Sequence, residues 1–436
     1  MMFRVPARSP WLSQGVWPVV LVALAVRMTP LPLIGRLIPG AQAAGFASDG
    51  TDYYSPLGHN LAVFHEFSLT PGQPTAAYVP LYPALLALLE VVGRSGPFAL
   101  MSVQALLGAL GLVLLFVWAR QIAGAASALV GLGLAAVLPD FAVYSYLNMS
   151  ENLFMVLMLA ALVIWQTALE GEDLKRWALA GLLLGLAALT REFGVTLLLP
   201  LAGATWWHRG FRQAVLRVAV LTLASSLTIL PWTLRNLGLF GEWIPLTSKG
   251  AVNIYVATLK GQYHPSDPRR NWALEDPSQE AVDQELKRDL AVSSSFSERN
   301  WLYLRSAWRN LTADPWGQVV YLGRKAGFFW QPNVGLRHVG RIGHTFLLGA
   351  SEVSYWLCLV SAASIVLVRR RLDSRVVLPA LLTAWTFLFH LCVGEAESRY
   401  HFALLPAIFV FSGMSLTGVV SFKPAGSNGS VRMSTR

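Results

Sequence analysis

Long apolar stretches separated by short polar loops dominate the chain. A helix needs about 20 apolar residues to cross the hydrocarbon core of a bilayer, and about ten stretches approach or reach that length. They lie near 16–34, 98–118, 124–139, 152–169, 174–190, 194–207, 215–231, 345–368, 376–393 and 401–421. The pattern predicts an all-α polytopic membrane protein with about ten transmembrane helices.

Two longer segments, 35–97 and 232–344, interrupt this pattern. Within the first, the apolar stretch Tyr78 to Val92 is predicted to be an interfacial helix, because counting it as a span would move the arginine-bearing loops to the wrong side. The second contains a charged helical stretch near Glu280 to Leu290, followed by a Trp- and Tyr-rich region from Trp301 to Trp330. Such aromatic helices suit the headgroup level, so we expect outward-facing juxtamembrane helices and a small extracytoplasmic cap.

Composition agrees with a membrane protein. The 436 residues are 54% hydrophobic and 13% charged, with a mean hydropathy of +0.49, which excludes an ordinary soluble globular protein. The net charge of +10 does not indicate nucleic-acid binding, because the 34 Lys and Arg residues are spread through short loops and form no single stripe. Cys358 and Cys392 both lie in apolar spans, so no disulfide framework is predicted.

The basic residues also predict the orientation. With the interfacial assignment above, the basic clusters of the short loops fall on one side, as the positive-inside rule requires. They are Arg120, Lys175 with Arg176, His208 with Arg209 and Arg212, Arg369 to Arg371 with Arg375, and Lys423. Both termini are then cytoplasmic, and the segments 35–97 and 232–344 face outward.

An acidic and aromatic segment, residues 48–54, directly follows the first apolar stretch. One interpretation is that Asp49 or Asp52 acts as a general base on an acceptor, which requires a carboxylate within hydrogen-bond reach of the proton it removes. The alternative is that both are turn or capping residues, with Asp52 as the N-cap of a helix from Tyr53 onward. A divalent-cation pair is a third interpretation, but it needs more oxygen ligands than this segment clearly supplies.

Glu151 begins an apolar span at its outward end. The helix dipole favours a carboxylate there, which is sufficient to explain it. The functional alternative is a second carboxylate facing the same outer cavity as the acidic segment.

Three arginines, Arg191, Arg235 and Arg399, lie on the outward side, where positive charge is disfavoured. An anionic ligand such as a lipid phosphate would explain them, since arginine binds phosphate through its bidentate fork. The alternative is pairing within the protein or snorkelling to the headgroups. The pairs would be Arg191 with Glu192, or Arg399 with Glu395 or Glu397.

The sequence contains no motif of the common nucleotide-binding, hydrolase or metal sites. There is no phosphate-binding Gly-rich loop, dinucleotide-binding turn or nucleophile elbow. The residues that could suggest a metal site lack a recognisable ligand spacing; they are His59, His65, Glu66, His338 and His344. We predict no metal site, no nucleic-acid partner and no nucleotide donor bound by a cytosolic domain.

Taken in order, these elements resemble the bacterial membrane glycosyltransferases of the GT-C class, especially the dolichyl-phosphate-mannose-protein mannosyltransferase-like family. Each motif is weak alone, and their shared order along most of the chain makes the resemblance specific. The motifs are Arg27, Asp49 to Tyr53, Phe67-Ser68, Pro80 to Pro83, Ser150-Glu151, Gly185 to Arg191, Pro231 to Asn236, Lys249 to Asn253 and Arg399-Tyr400.

The resemblance implies an inverting transfer of a sugar from a polyprenyl-phosphate carrier to an acceptor at the extracytoplasmic face. By its spacing to Tyr53, Asp49 falls on the family's acidic residue, the base, with Asp52 as the other choice, and Glu151 takes the second acidic position. Cationic side chains would hold the carrier phosphate as its charge grows. The substrate-binding residues implied are Tyr53, Arg191, Arg235, Arg399 and Tyr400.

One motif departs from the family. Relatives that modify lipid A carry a lysine just before the Pro-Leu-Tyr-Pro-like stretch, whereas Tyr78-Val79 occupy that place here. A phosphate contact from this loop is therefore not expected.

The resemblance completes the predicted organisation. Residues 1–231 would form a transmembrane catalytic module with the acidic outer loop 35–97, residues 232–344 the cap, 345–421 the C-terminal transmembrane helices, and 422–436 a disordered cytoplasmic tail. The expected partners are the lipid-linked donor, a protein, glycan or lipid acceptor, and the bilayer of the plasma (inner) membrane. No cofactor is required, with a divalent cation as the alternative.

Two other functions compete with the transferase. A flippase or transporter of lipid-linked envelope precursors would favour charged residues deep within spans and repeat symmetry, and neither is evident in the sequence. A non-catalytic scaffold would tolerate loss of both Asp49 and Asp52.

Overall fold

The computed structural model describes residues 16–28, 49–94, 96–138, 142–145, 147–259, 277–293, 295–330, 341–368, 376–393 and 398–420. It is mostly helical, which confirms the predicted helical class. Several predicted features lie outside the described residues: the basic cluster 369–375, the loop 394–397, the tail 422–436, His338, and the side chains of Asp49 and Arg399.

The first half of the chain forms ten α-helices among the described residues. They are α1 (Val16–Met28), α2 (Ser55–Phe64), α3 (Leu81–Val91), α4 (Pro97–Ala123), α5 (Ala125–Val137), α6 (Glu151–Leu169), α7 (Leu174–Thr190), α8 (Phe193–Thr196), α9 (Leu198–Arg209) and α10 (Phe211–Phe240). A π-helix, Asp49–Tyr54, leads into α2.

The second half adds seven α-helices within the described ranges. They are α11 (Gly250–Val256), α12 (Pro277–Val292), α13 (Phe296–Ala313), α14 (Pro315–Phe329), α15 (Arg341–Val368), α16 (Val377–Val393) and α17 (Leu405–Val420). Short 3-10 turns occur at Val143–Ser145 and Ser398–Leu404.

Every predicted span overlaps a helix, and the chain is a multi-pass membrane protein. By length and composition, four helical stretches in the described part of the chain could cross a membrane: Pro97–Ala123, Glu151–Leu169, Phe211–Phe240 and Tyr400–Gly418. The total of about ten spans therefore remains a prediction. Helix α3 is about 17 Å long at 1.5 Å per residue, which is too short to span the membrane and agrees with the interfacial assignment of this stretch.

Helix α10 is longer than predicted. It continues through Pro231 to Phe240, so the predicted domain boundary at residue 231 falls inside a helix. Its length of about 45 Å exceeds the hydrocarbon core. The turns of α10 that follow Pro231 donate side-chain hydrogen bonds to the carbonyl groups of residues 244–246.

Close helix packing in the membrane body depends on small residues. A Cβ atom at Gly185 in α7 would lie 2.8 Å from the Ser225 carbonyl oxygen in α10, and one at Gly131 in α5 would lie 2.6 Å from the Phe409 carbonyl oxygen in α17. Such small residues allow membrane helices to approach closely where hydrophobic burial supplies little preference.

A two-stranded antiparallel hairpin, β1 (Ser68–Thr70) and β2 (Gln73–Pro74), follows α2 and was not predicted. Next to it, the Ser248 amide donates to the Ala76 carbonyl and the Thr247 hydroxyl donates to the Ala77 carbonyl, both at 2.8 Å. Helices α12 to α14 lie in the segment predicted to be a cap, and α13 packs against α11 and α12. The cap as an independent unit remains a prediction.

Candidate active site

A cavity of about 350 Å³ lies where one end of the helical body meets the π-helix and the loop before α3. The end of α7, the start of α11, the end of α16 and the following 3-10 turn contribute its walls. Its charged and aromatic lining residues are Tyr53, Tyr54, Tyr78, Arg191, Glu192, Phe193, Lys249, Phe389, His390 and Tyr400. Of the predicted site residues, the fold brings Tyr53, Arg191 and Tyr400 to this cavity.

Arg191 directly follows the last residue of α7, and its extended backbone ends the helix. Its Nη1 lies 2.7 Å from Oε1 of Glu151 and 3.2 Å from the Ser150 hydroxyl. Its Cζ lies 5.9 Å from the centre of the Tyr400 ring, which stacks on His390. The guanidinium is thus oriented toward the cavity by a carboxylate, a hydroxyl and an aromatic ring.

The alternative pairing of Arg191 with Glu192 is wrong. Helices α6 and α7 pack together in opposite directions, so the start of α6, with Glu151, lies beside the end of α7, with Arg191. Glu151 is only 2% exposed, and the salt bridge neutralises its buried carboxylate.

Lys249, part of one of the resemblance motifs, is a cation of the cavity that was not among the predicted site residues. Its Nζ lies 3.6 Å from the centre of the Tyr78 ring and 5.1 Å from that of Tyr53. The two rings stack with their centres 4.9 Å apart, an arrangement that attracts a cation through their π-faces. Tyr78 stands in the loop before α3, so the fold brings a cation to this loop from a distant part of the chain.

The acidic segment forms the π-helix, which runs without a break into α2. Asp52 is therefore inside a helical segment, and the N-cap of α2 is Tyr54, which makes no side-chain capping bond. The capping interpretation of Asp52 is wrong for this reason. Asp52 is exposed to solvent beside Tyr53, which lines the cavity.

The amide side chain of Asn148 holds the π-helix in place. The Asn148 side chain donates to the Gly50 carbonyl at 2.9 Å and to the Ser55 hydroxyl at 2.7 Å. The Tyr82 hydroxyl donates to Oδ1 of Asn148 at 2.8 Å and accepts from Gln104 at 2.8 Å. Burial raises the pKa of Tyr82 well above its usual value, with further increases from Tyr54 and Glu151. Tyr82 therefore keeps its proton and remains a donor to Asn148.

Arg235 has a different position from the one expected. Its Nη1 donates to the Thr75 carbonyl at 2.8 Å, its Nη2 donates to the Phe67 carbonyl at 3.2 Å, and its Cζ lies 4.7 Å from the Trp232 ring centre. These contacts join the hairpin region to α10. Arg235 does not line the cavity, and its predicted contact with a phosphate remains untested.

Two further cavity residues were missed. Within the described residues, the side chains of Glu192 and Asn253 make no hydrogen bond or ion pair with other protein groups, although both line the cavity. From the sequence, Glu192 is expected only as a partner of Arg191 and Asn253 only as part of a resemblance motif, so neither is predicted to line a cavity. No cluster of three or more His, Cys, Asp or Glu side chains suited to a metal ion occurs in the described part of the chain.

The fold and the cavity define a class: a multi-pass membrane protein with a basic, aromatic cavity beside an acidic helix. Residues 73–234 match the model of the dolichyl-phosphate-mannose-protein mannosyltransferase family, which confirms the resemblance predicted from the sequence. The matched region, less than half of the chain, includes Glu151 and Arg191 and leaves out the π-helix and Lys249. No curated protein matches the sequence.

Solved structures share the fold at low identity. The archaeal oligosaccharyltransferase AglB from Archaeoglobus fulgidus, in complex with an inhibitory peptide and a dolichol-phosphate, is 16% identical with a TM-score of 0.54, over 93% of this chain and 50% of that chain. Its apo form gives 15% identity and a TM-score of 0.54, over 92% and 50% of the two chains. ArnT from Cupriavidus metallidurans bound to undecaprenyl phosphate is 14% identical with a TM-score of 0.43, over 93% and 79%. The chain thus spans about half the length of the oligosaccharyltransferase.

Proposed function

We propose that this protein transfers a sugar from a polyprenyl-phosphate-linked donor to an acceptor hydroxyl or related group, with inversion, at the extracytoplasmic face of the plasma (inner) membrane. The observation that carries the proposal is the cavity where Arg191 and Lys249 stand beside the π-helix that bears Asp49 and Asp52. The family match and the dolichol-phosphate bound to AglB support a lipid-linked donor.

The two cations would bind the donor phosphate. Arg191 pairs with Glu151, and Lys249 lies over the aromatic faces of Tyr53 and Tyr78. Both cations line the cavity, where a phosphate could contact them. As the bond between the sugar and the phosphate breaks, negative charge grows on the phosphate, and preorganised cations stabilise that charge.

The reaction needs one base and one stabilised leaving group. The acceptor oxygen attacks the anomeric carbon, the bond from that carbon to the phosphate oxygen breaks, and the hydroxyl proton passes to Asp49 or Asp52. The lipid phosphate leaves with the bonding electron pair and stays bound by Arg191 and Lys249. A single displacement of this kind inverts the anomeric carbon, and a phosphate leaves without a strong general acid.

The side chains of Glu192 and Asn253 are suited to the sugar. A carboxylate accepts hydrogen bonds from hydroxyl groups, and an amide both donates and accepts them. Because Glu192 brings negative charge to the cavity wall, a neutral or amino sugar fits better than a uronic acid.

The test is sugar transfer by purified protein in nanodiscs from a panel of polyprenyl-phosphate sugars. Asp49→Asn, Asp52→Asn and Lys249→Met are compared with wild type, and Asp289→Asn in α12 serves as a matched control away from the cavity. We expect one of the two π-helix variants to lose transfer while its affinity for undecaprenyl phosphate is kept. Lys249→Met should lose affinity by about tenfold, the value of one charge-assisted hydrogen bond.

Other outcomes would contradict the proposal. Full activity in both Asp variants would exclude these carboxylates as the base. Absence of transfer from every donor in wild type, together with movement of the lipid-linked sugar across the bilayer when the protein is reconstituted in liposomes, would favour the transporter.

A further inference from the structure

A second cavity, of about 430 Å³, lies on the far side of a thin partition from the first. We define the partition as the two hydrogen-bonded segments 75–77 and 247–249. Ala77 and Tyr78 line the first cavity, Thr75 and Ala76 the second, and Lys249 lines both. A ligand in the second cavity would thus lie next to the site of sugar transfer.

The walls of the second cavity carry polar side chains that are available to a ligand. Within the described residues, the Ser248 hydroxyl, the Asn300 amide and the Tyr303 hydroxyl make no hydrogen bond to another protein group. Phe240 and Phe296 add aromatic surface beside them. The volume is in the range of small-ligand sites, and a few converging polar groups on an apolar wall are typical of such sites.

The backbone carbonyl groups of the same walls already accept hydrogen bonds from within the protein. The carbonyl oxygens of Thr75, Ala76 and Ala77 accept hydrogen bonds from Arg235, Ser248 and Thr247 respectively. Pro74 has no N–H to offer. An extended peptide that binds by adding a strand needs an open backbone edge. The cavity therefore recognises its ligand through side chains.

We propose that the second cavity binds the acceptor and that the acceptor is a hydroxyl-rich glycan. This inference rests on the proposed function. Hydroxyl and amide side chains exchange hydrogen bonds with sugar hydroxyls, which both donate and accept. The shared position of Lys249 places the acceptor cavity against the donor cavity.

The test is saturation-transfer NMR on the full chain in nanodiscs, with neutral trisaccharides of glucose, mannose and galactose as probes and a short Ser- and Thr-containing peptide as the comparison. The double variant N300A/Y303F removes two of the available polar groups. Trp316→Ala is the control, since this exposed residue of α14 lines neither cavity. Binding of undecaprenyl phosphate is measured on the same preparations.

We expect a trisaccharide signal in wild type and in Trp316→Ala, and about tenfold weaker binding in the double variant, as two lost hydrogen bonds predict. Undecaprenyl phosphate should bind equally well to all three proteins. No signal from any trisaccharide, an equal affinity in the double variant, or a signal from the peptide alone would overturn the glycan acceptor. If wild type does not bind undecaprenyl phosphate, the proposed function itself is overturned.

Discussion

At the residue scale, the guanidinium of Arg191 has two tasks. It neutralises the buried carboxylate of Glu151, and it faces a cavity that we propose holds a phosphate. Removing one member of a buried ion pair leaves the other charge without compensation, which is costly even where the intact pair adds little stability. Loss of activity in a single Arg191 variant would therefore not separate folding from binding.

A double variant separates the two tasks. We predict that Arg191→Met alone lowers the stability of the protein by about 3 kcal/mol, and that the double variant E151M/R191M recovers most of this loss because no buried charge remains. Affinity for undecaprenyl phosphate should stay about tenfold lower in both variants. Thermal unfolding in nanodiscs and lipid binding are the measurements, with Arg176→Met, an exposed arginine of α7, as the control. Recovery of lipid affinity in the double variant would contradict a phosphate role for Arg191.

At the scale of the element, the π-helix is held against the loop before α6 by close backbone contact. A Cβ atom at Gly50 would lie 2.8 Å from Cβ of Asn148 and nearer still to the Asn148 carbonyl oxygen. The contact includes backbone atoms of Asn148, so a side chain at residue 50 has to displace the whole segment. The acidic residues of the π-helix depend on this approach for their position.

Gly50→Ala should therefore reduce sugar transfer by at least about tenfold, since small misplacements of catalytic groups are costly, with little effect on undecaprenyl phosphate binding. Gly238→Ala in α10 is the matched control, because a Cβ atom there meets open space. The measurements are turnover and donor affinity for each variant. Equal turnover in Gly50→Ala and Gly238→Ala would show that the position of the π-helix does not matter for catalysis.

Another element, α13, is anchored at its start by Glu242. The carboxylate accepts from the backbone N–H of Phe296 at 2.6 Å, and from the backbone N–H and the hydroxyl of Ser297 at 2.8 Å and 2.6 Å. The hydrogen bond from the Ser297 side chain is the main cause that lowers the pKa of Glu242, and the two backbone bonds add to it. The start of α13 forms one wall of the second cavity.

The sign of the pH effect follows from that shift. A lowered pKa in the folded chain means that the anchor stabilises α13 above the pKa of the unfolded carboxyl group, near 4.3, and is lost as the pH falls through the folded value. At pH 7 we predict faster amide hydrogen exchange at Phe296 and Ser297 in Glu242→Gln than in wild type. Glu285→Gln, which removes the surface ion pair with Arg309, should leave these amides unchanged. Equal exchange in all three proteins would contradict the anchor.

At the scale of the whole molecule, helix ends form two groups of contacts. The first group forms the candidate site. In the second, Glu172 in the α6–α7 turn pairs with Arg209 and Arg217, near the turn between α9 and α10. This ionic contact joins two loops that the positive-inside rule assigns to the cytoplasm.

The orientation is testable by cysteine labelling. In a chain whose two native cysteines are replaced by serine, Gln73→Cys at the hairpin should react with a membrane-impermeant maleimide on intact cells. Lys175→Cys at the start of α7 should react only after permeabilisation. Both positions are exposed in the structure, so access to the reagent depends on the side of the membrane. The reverse pattern would place the candidate site in the cytoplasm and exclude an extracytoplasmic reaction.

The sequence predicted the helical membrane class, the approximate place of the helices and the family resemblance. The bilayer sets the length of each apolar span and the side on which each basic loop lies. Because these constraints apply to each segment by itself, the local sequence pattern is enough to predict the helices. The same pattern could not show that α10 continues beyond Pro231, because the tertiary contacts of its last turns support the helix there.

Only part of the candidate site could be predicted from the sequence. Tyr53, Arg191 and Tyr400 were predicted and line the cavity, whereas Lys249, Glu192 and Asn253 are cavity residues whose roles the sequence did not suggest. The tertiary structure alone decided which side chains meet. Arg191 pairs with Glu151 through antiparallel packing, and Lys249 contacts the Tyr78 ring through the segment that follows α10. Hydrophobic pattern specifies that a residue lies at a helix end, but which ends come into contact is set by how the helices pack against one another and against the segments that follow them.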